Sequence, residues 1–202
     1  MRELEQSMDG WSIQTKKGKK SAKPKRSMSE RKKHSDDIKA SGDHLLQRKW
    51  VLWAHLPHDT NWTVHSYKRI MTITTLEQLI ALYRVIPEKM VKNCMLFLMQ
   101  ENINPIWEDP RNKNGGCFSF KIPNKNVHSV WKQTSYSVLG ECISDDAKFL
   151  RNVNGITISP KKSFCILKIW MSNLQCQNPR KINAVKGLSI GGCLFKKHKP
   201  EY

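Results

Sequence analysis

From His44 onward the chain runs as short apolar segments separated by turn residues, and the period of each segment tells what it forms. Residues Arg48 to Leu56 (RKWVLWAHL) read as a strand and 57–61 (PHDTN) as a loop. A second strand is expected near 68–73. Thr74-x-x-Glu77 then has the form of a capping box, and Leu76, Leu79, Ile80, Tyr83 and Ile86 follow at helical spacing until Pro87 stops them. Strands are expected at 93–99 (NCMLFLM) and 117–122 (CFSFKI). Val127, Val130, Trp131, Thr134 and Val138 mark a second helix closed by Gly140. Two more strands at 155–159 and 164–171, a short helix opened by Asn178-Pro179 and a last strand near 190–196 complete the pattern. The intervals between strands range from hairpin-like to helix-sized, so a regular parallel βαβ series is not indicated. The expectation is an α+β domain, one mainly antiparallel sheet with helices on one face.

One strand says more than its length. Alternation through 164–171 puts Phe164, Ile166, Lys168 and Trp170 on one face and Cys165, Leu167, Ile169 and Met171 on the other. The second set is wholly apolar and belongs under the helices. The first carries a lysine beside a tryptophan and is expected to look into an open groove.

Before His44 the periodicity disappears. Residues 1–43 carry a net +5, with ten Lys and Arg between 16 and 33 against Glu30 alone, and bury too little to offset chain entropy. They read as a disordered basic tail, either a nuclear-localisation or loose RNA-contacting segment or a solvated extension. Of the chain's net +18 over 202 residues, +13 is left for a domain at 44–202, and an excess of that size points to polyanions. No apolar run approaches the roughly 18 residues of a membrane span, and the opening MRELEQSMDGW has no apolar signal core. Six cysteines, no two closer than 11 positions, form no CxxC pair, as in a reduced cytosolic or nuclear protein. His55, His58 and His65 in HLPHDTNWTVH lack the partners of a zinc site, so neither metal nor cofactor is expected.

Tryptophan narrows the class of polyanion. Trp50, Trp53 and Trp131 lie in apolar periodic segments and are expected in the core. Trp62 and Trp107 instead lie in polar loops, the second in NPIWEDPRNKNGG, where an exposed indole needs a purpose. Glu108 follows Trp107, and a carboxylate beside an indole suits guanine, whose N1–H and N2–H form a two-donor edge. Methylated at N7, that base is also a cation, which two facing indoles would hold by stacking and cation–π attraction worth about 2 kcal/mol or more when desolvated. Lys161 and Lys162, at the tip of a hairpin, are the candidate phosphate contacts.

These residues resemble the cap-binding translation initiation factor 4E family over about 44–198. The resemblance is carried by Pro105-Ile106-Trp107-Glu108-Asp109, by Asn112-Lys113-Asn114-Gly115-Gly116, by Trp50-x-x-Trp53, by Leu139-Gly140-Glu141 and by Trp170 fifteen residues after Gly155. Ile86-Pro87, Leu98-Met99, Lys121-Ile122-Pro123 and Val130-Trp131-Lys132 are most similar to the type 3 branch, although Trp62 is present where that branch commonly lacks it. The resemblance implies a curved antiparallel sheet with about three helices on its convex face and a concave pocket for the 7-methylguanosine cap of messenger RNA. It implies that Trp62 and Trp107 sandwich the base, that Glu108 takes N1–H and N2–H, that Trp170 lies near the methyl group, and that Lys161 replaces a phosphate-binding arginine.

Departures are equally specific. Ile166 stands where the family has a phosphate lysine, and Cys117 where a basic residue often follows the double glycine, so triphosphate binding is expected to lean on Lys161 and Lys162, with Lys168 as a further candidate. On the partner face, marked by His44, Leu76, Ile80 and Gly140, Ile80 replaces a tryptophan, His44-Leu45-Leu46 replaces His-Pro-Leu, and Lys132 replaces an apolar residue. Weakened or altered binding to the scaffold factor 4G and to 4E-binding repressors is therefore expected. The function expected is non-enzymatic cap binding in translation initiation or its regulation, by a monomer in the cytoplasm, with the nucleus left open by the tail. The alternatives are a general basic RNA-binding or structural protein with a decayed pocket, and a repressor that occupies caps without a scaffold. No nucleophile, base and orienter stand at a recognisable spacing.

Overall fold

A computed structural model of the chain describes residues 42–198, so the basic stretch between 16 and 33 lies outside the described residues. Seven strands form one curved, open sheet: β1 (Leu45–His55), β2 (Tyr67–Thr75), β3 (Met95–Gln100), β4 (Gly116–Pro123), β5 (Val153–Pro160), β6 (Phe164–Met171) and β7 (Leu194–Lys197). Their order is β2-β1-β3-β5-β6-β4-β7, and every pairing is antiparallel. The expected α+β class is the observed one.

Register gives the sheet two faces of different chemistry. One row across it reads Leu52, Leu98, Ile156, Ile169, Phe118 and Phe195, and a parallel row reads Ala54, Leu96, Ile158, Leu167 and Phe120. Nearly all of these are fully buried and form the core beneath the helices. On the other face the rows read Arg69, Trp53, Phe97, Thr157, Lys168, Ser119, Leu194 and then Val51, Met99, Gly155, Trp170, Cys117, Lys196. Gly155 keeps that face close to its neighbour, since a Cβ there would come within 2.4 Å of the Met99 sulfur and 2.6 Å of the Leu98 carbonyl.

Among the described residues four α-helices accompany the sheet. The amphipathic α1 (Leu76–Val85) and α3 (Val127–Leu139) were expected, and α3 packs across β1, β4 and β5 through buried Val127, Val130 and Trp131. The six-residue α2 (Glu88–Asn93) and α4 (Ala147–Asn152) were not expected. The short helix expected after Asn178 is a single 3-10 turn at Pro179–Lys181, with the Asn178 side chain accepting from the Arg180 amide. The last strand begins at Leu194 rather than near 190, because 190–192 forms another 3-10 turn.

The capping box is displaced by one residue from its expected place. Thr75 is the N-cap, its hydroxyl accepting from the Gln78 amide at 3.2 Å while the Gln78 carbonyl accepts from the Thr75 amide. Glu77, the partner assigned to Thr74, instead receives the backbone N–H of His44 at 3.0 Å and faces its ring at 2.8 Å. At the end of α3, Gly140 has an ordinary φ of −81°, and the left-handed residue is Glu141 at +53°. Glu141 holds that turn through an ion pair with Arg48 at 3.1 Å.

Candidate nucleotide-binding site

The concave face is where the chemistry collects. Trp170 is largely buried, its indole N–H donating to the Thr157 hydroxyl at 2.8 Å and its ring edge-on to Phe97 and His198. Tyr67, Phe97, Met99, Ile103 and Trp170 form one cluster, against which Trp53, Ile106 and Trp107 pack half-buried. Trp53 thus belongs to the concave side, whereas Trp50 and Trp131 are fully buried, as expected of core residues. Beside the cluster lies a pocket of about 420 Å³ with Trp107 and Trp170 in its wall and Cys117, Ser119, Ile166, Lys168 and Lys196 on its floor. The alternation expected along β6 is the one observed.

The loop carrying Trp107 and Glu108 is built around two buried polar side chains. The Asp109 carboxylate accepts from the backbone amides of Asn104 and Arg111, each at 2.9 Å. Fully buried Asn112 donates its side-chain amide to the Asn104 and Ile106 carbonyls at 3.1 and 2.8 Å, and its side-chain carbonyl accepts from Asn154 at 2.9 Å. The Asn112 backbone carbonyl faces Nδ1 of His198 at 2.9 Å. The segment between β3 and β4 is thereby tied to β5 and to the end of the described chain, which fixes where Trp107 stands. Glu108 is exposed and does not itself line the pocket, but its charge reaches the cluster: burial first, and the Glu108 carboxylate second, push the Tyr67 phenol up to about 12. Burial, aided by the charge of Lys168 and opposed by the bond to Asn112, holds His198 below its usual value, so it is neutral near pH 7.

Trp62 is placed differently from Trp107. It is 55% exposed and lies flat on the His55 ring, with centroids 4.3 Å apart and planes 2° from parallel. His55 is buried, with Nε2 2.9 Å from the Asn61 carbonyl, and its ring tilts against Tyr67 at 4.9 Å. Asn61 in turn accepts from Thr63 and donates to Asp59, and His58 adopts φ +70°, so the loop before Trp62 is closely folded. Among the described residues the stacking partner of Trp62 is thus His55, while Trp107 packs against the cluster that holds Tyr67. Lys161 and Lys162 are exposed at the β5–β6 turn, closed by the Lys161 amide on the Phe164 carbonyl at 2.8 Å, and neither lines the pocket.

On the opposite face, Leu45, Leu76 and Val85 are exposed and Ile80 is half-buried. His44 pairs with Glu77, whose carboxyl is lowered by that hydrogen bond, and Gly140 sits within 2.9 Å, at its missing Cβ, of the Tyr136 carbonyl. Lys132 lies 5.7 Å from the Tyr136 ring centroid.

Sequence reasoning weighed His55 only as a metal ligand, missed Asn154 and His198, and named Asp109 and Asn112 within family motifs without a structural role. The motif Asn112-Lys113-Asn114-Gly115-Gly116 drew notice to Asn112 but not to its burial, because an asparagine that satisfies backbone carbonyls has no period to reveal it.

Comparison with known proteins agrees with this architecture. The family model described as eukaryotic initiation factor 4E matches residues 45–194. The chain is 27% identical over 148 residues to the eukaryotic translation initiation factor 4E of Eremothecium gossypii, covering 70% of this chain and 68% of that protein. It is 29% identical over 135 residues to the initiation factor 4E homolog of Acanthamoeba polyphaga mimivirus, covering 56% of this chain and half of the relative's length. The fold is similar to that of Ascaris suum initiation factor 4E-3, solved as a complex with an m7G cap, with a TM-score of 0.60 at 20% identity, covering 67% of this chain and 77% of that one. A Schistosome initiation factor 4E, solved with m7GpppG and a 4E-binding protein, gives the same TM-score at 20% identity, covering 66% and 74% of the two chains. With the family model matched across nearly the whole sheet, from the first strand to the last, the chain belongs to the eukaryotic initiation factor 4E family.

Proposed function

We propose that this chain binds the 7-methylguanosine cap of messenger RNA and acts in translation initiation or its regulation, as a binding module and not as an enzyme. The observation that carries this reading is Trp107, with exposed Glu108 next to it in the chain, on a loop held by Asp109 and Asn112 and facing a pocket whose wall continues through Trp170. The methylated base lies on Trp107, Glu108 accepts its N1–H and N2–H, and Trp170 faces the methyl group. Trp62 closes the sandwich with the face turned away from His55, or after leaving it. The base contributes its cation–π attraction to both indoles, about 2 kcal/mol or more once water is excluded. Lys161 and Lys162 meet the phosphates as the RNA leaves. Cap-bound and 4E-binding-protein-bound relatives support capped RNA and scaffold-type partners, the latter weakened here by Ile80 and Lys132. The protein works in the cytoplasm as a monomer.

Retention on immobilised 7-methyl-GTP tests the reading. The chain is expected to bind and to elute with the free analogue, and Trp107→Ala and Glu108→Ala are each expected to abolish retention. Equal elution by unmethylated GTP would remove the cation–π account. The stack of Trp62 on His55 favours a second reading, a general RNA-binding protein with a decayed pocket, which would hold uncapped RNA equally well with a steep dependence on salt.

A further inference from the structure

The pocket beside Trp107 and Trp170 contains more positive charge than a base needs. Lys168 and Lys196 lie on its floor, brought together by register rather than by sequence: Lys168 pairs with Ser119, Ser119 with Leu194, and Lys196 with Cys117, which in turn faces Trp170. Alternation along β7 keeps Lys196 on the concave face and turns Phe195 to the core, where it packs edge-on against Phe118 at 4.9 Å. None of the pocket's lining residues is acidic, and among the described residues neither lysine has a carboxylate within ion-pair distance. Lys197 lines the pocket as well, likewise without an ion-pair partner among the described residues, but by alternation along β7 it stands on the side opposite Lys196, so the concave floor itself holds Lys168 and Lys196. An aromatic wall beside these unneutralised ammonium groups is complementary to a ring that carries a chain of negative charge.

Distance assigns the lysines. Lys168 is two residues from Trp170 along β6, about 7 Å at the strand rise, whereas the β5–β6 turn begins beyond Phe164, about 20 Å from Trp170 on the same measure. A phosphate chain attached to a ring on Trp107 reaches the floor before it reaches the hairpin tip.

We propose that Lys168 and Lys196 form the anion site nearest the base, taking the phosphate chain of the nucleotide, while the hairpin lysines serve RNA further along. The proposal rests on the cap-binding reading for the ring and on the pocket alone for the anion. It places half of the site on the last strand, opposite Cys117, so that the floor of β6, β4 and β7 supplies its positive charge.

Quenching of tryptophan fluorescence by 7-methylguanosine, 7-methyl-GMP, 7-methyl-GTP and inorganic tripolyphosphate tests it on the full chain. The gain from nucleoside to triphosphate is expected to shrink about tenfold in Lys168→Ser and again in Lys196→Ser, the scale of one charged hydrogen bond. Tripolyphosphate is expected to weaken in parallel, with nucleoside affinity unchanged, and Lys125→Ser, on an exposed turn, to behave as the unaltered chain. Lys196 is exposed on an edge strand, so its serine variant retains the fold. An unchanged gain in both variants, or an equal loss in Lys125→Ser, overturns the proposal. Tripolyphosphate binding that depends on both lysines, without binding of the nucleoside, supports the anion site and removes the cap reading. Nucleoside binding with a gain indifferent to both lysines does the reverse.

Discussion

Asn112 shows how much of this site depends on a residue that touches no ligand in it. Its fully buried side chain occupies two backbone carbonyls and one asparagine amide. Asn112→Ala leaves those groups unsatisfied, and the expected loss is about 2–3 kcal/mol of stability. A lowered urea midpoint at constant slope would show it, accompanied by poorer retention on 7-methyl-GTP because the Trp107 loop loses its anchor. A midpoint shift equivalent to less than about 0.5 kcal/mol, the range of an ordinary surface change, would contradict the role. Trp62 teaches a related lesson. Its loop and its exposure were evident from polar neighbours, but a histidine inside an apolar strand announces neither burial nor a stacking partner, so the His55 contact could only come from the fold.

Among the elements, those with a long period were readable and those without one were not. Alternation over eight residues identified β6 and both of its faces, and apolar spacing over roughly three turns identified α3. The six residues of α2 and α4 complete fewer than two helical turns, too few to separate a 3.6 period from a strand or a loop. Adjacent threonines made the start of α1 ambiguous: Thr74 with Glu77 and Thr75 with Gln78 both fit a capping box, and the pairing of Glu77 with His44 leaves the second. Thr75→Ala is expected to cost about 1 kcal/mol, read as a lower thermal midpoint, with Thr74→Ala near neutral. The reverse order would restore the sequence assignment. The register that sets Lys196 against Cys117 was beyond sequence reasoning altogether, since the β3–β4 segment and the path to β7 are irregular.

At the scale of the whole molecule, the sheet separates two jobs. Its convex side is filled by Leu, Ile, Phe and Trp side chains and supplies stability, while the concave side carries polar and cationic groups that a core could not bury. The sheet ends in β7, four residues long and paired to a neighbour on one side only, the most easily frayed class of element in a folded chain. Amide hydrogen exchange is expected to be fastest there among the strands, and to slow at Lys196 and His198 when tripolyphosphate is added; equal exchange with and without the anion would separate β7 from the site. If β7 does carry half the anion contacts, peeling it from β4 abolishes them without melting the core. Ligand release then has a local route, through a transient detachment of this edge strand, and the lifetime of the complex is set by how often that strand lets go.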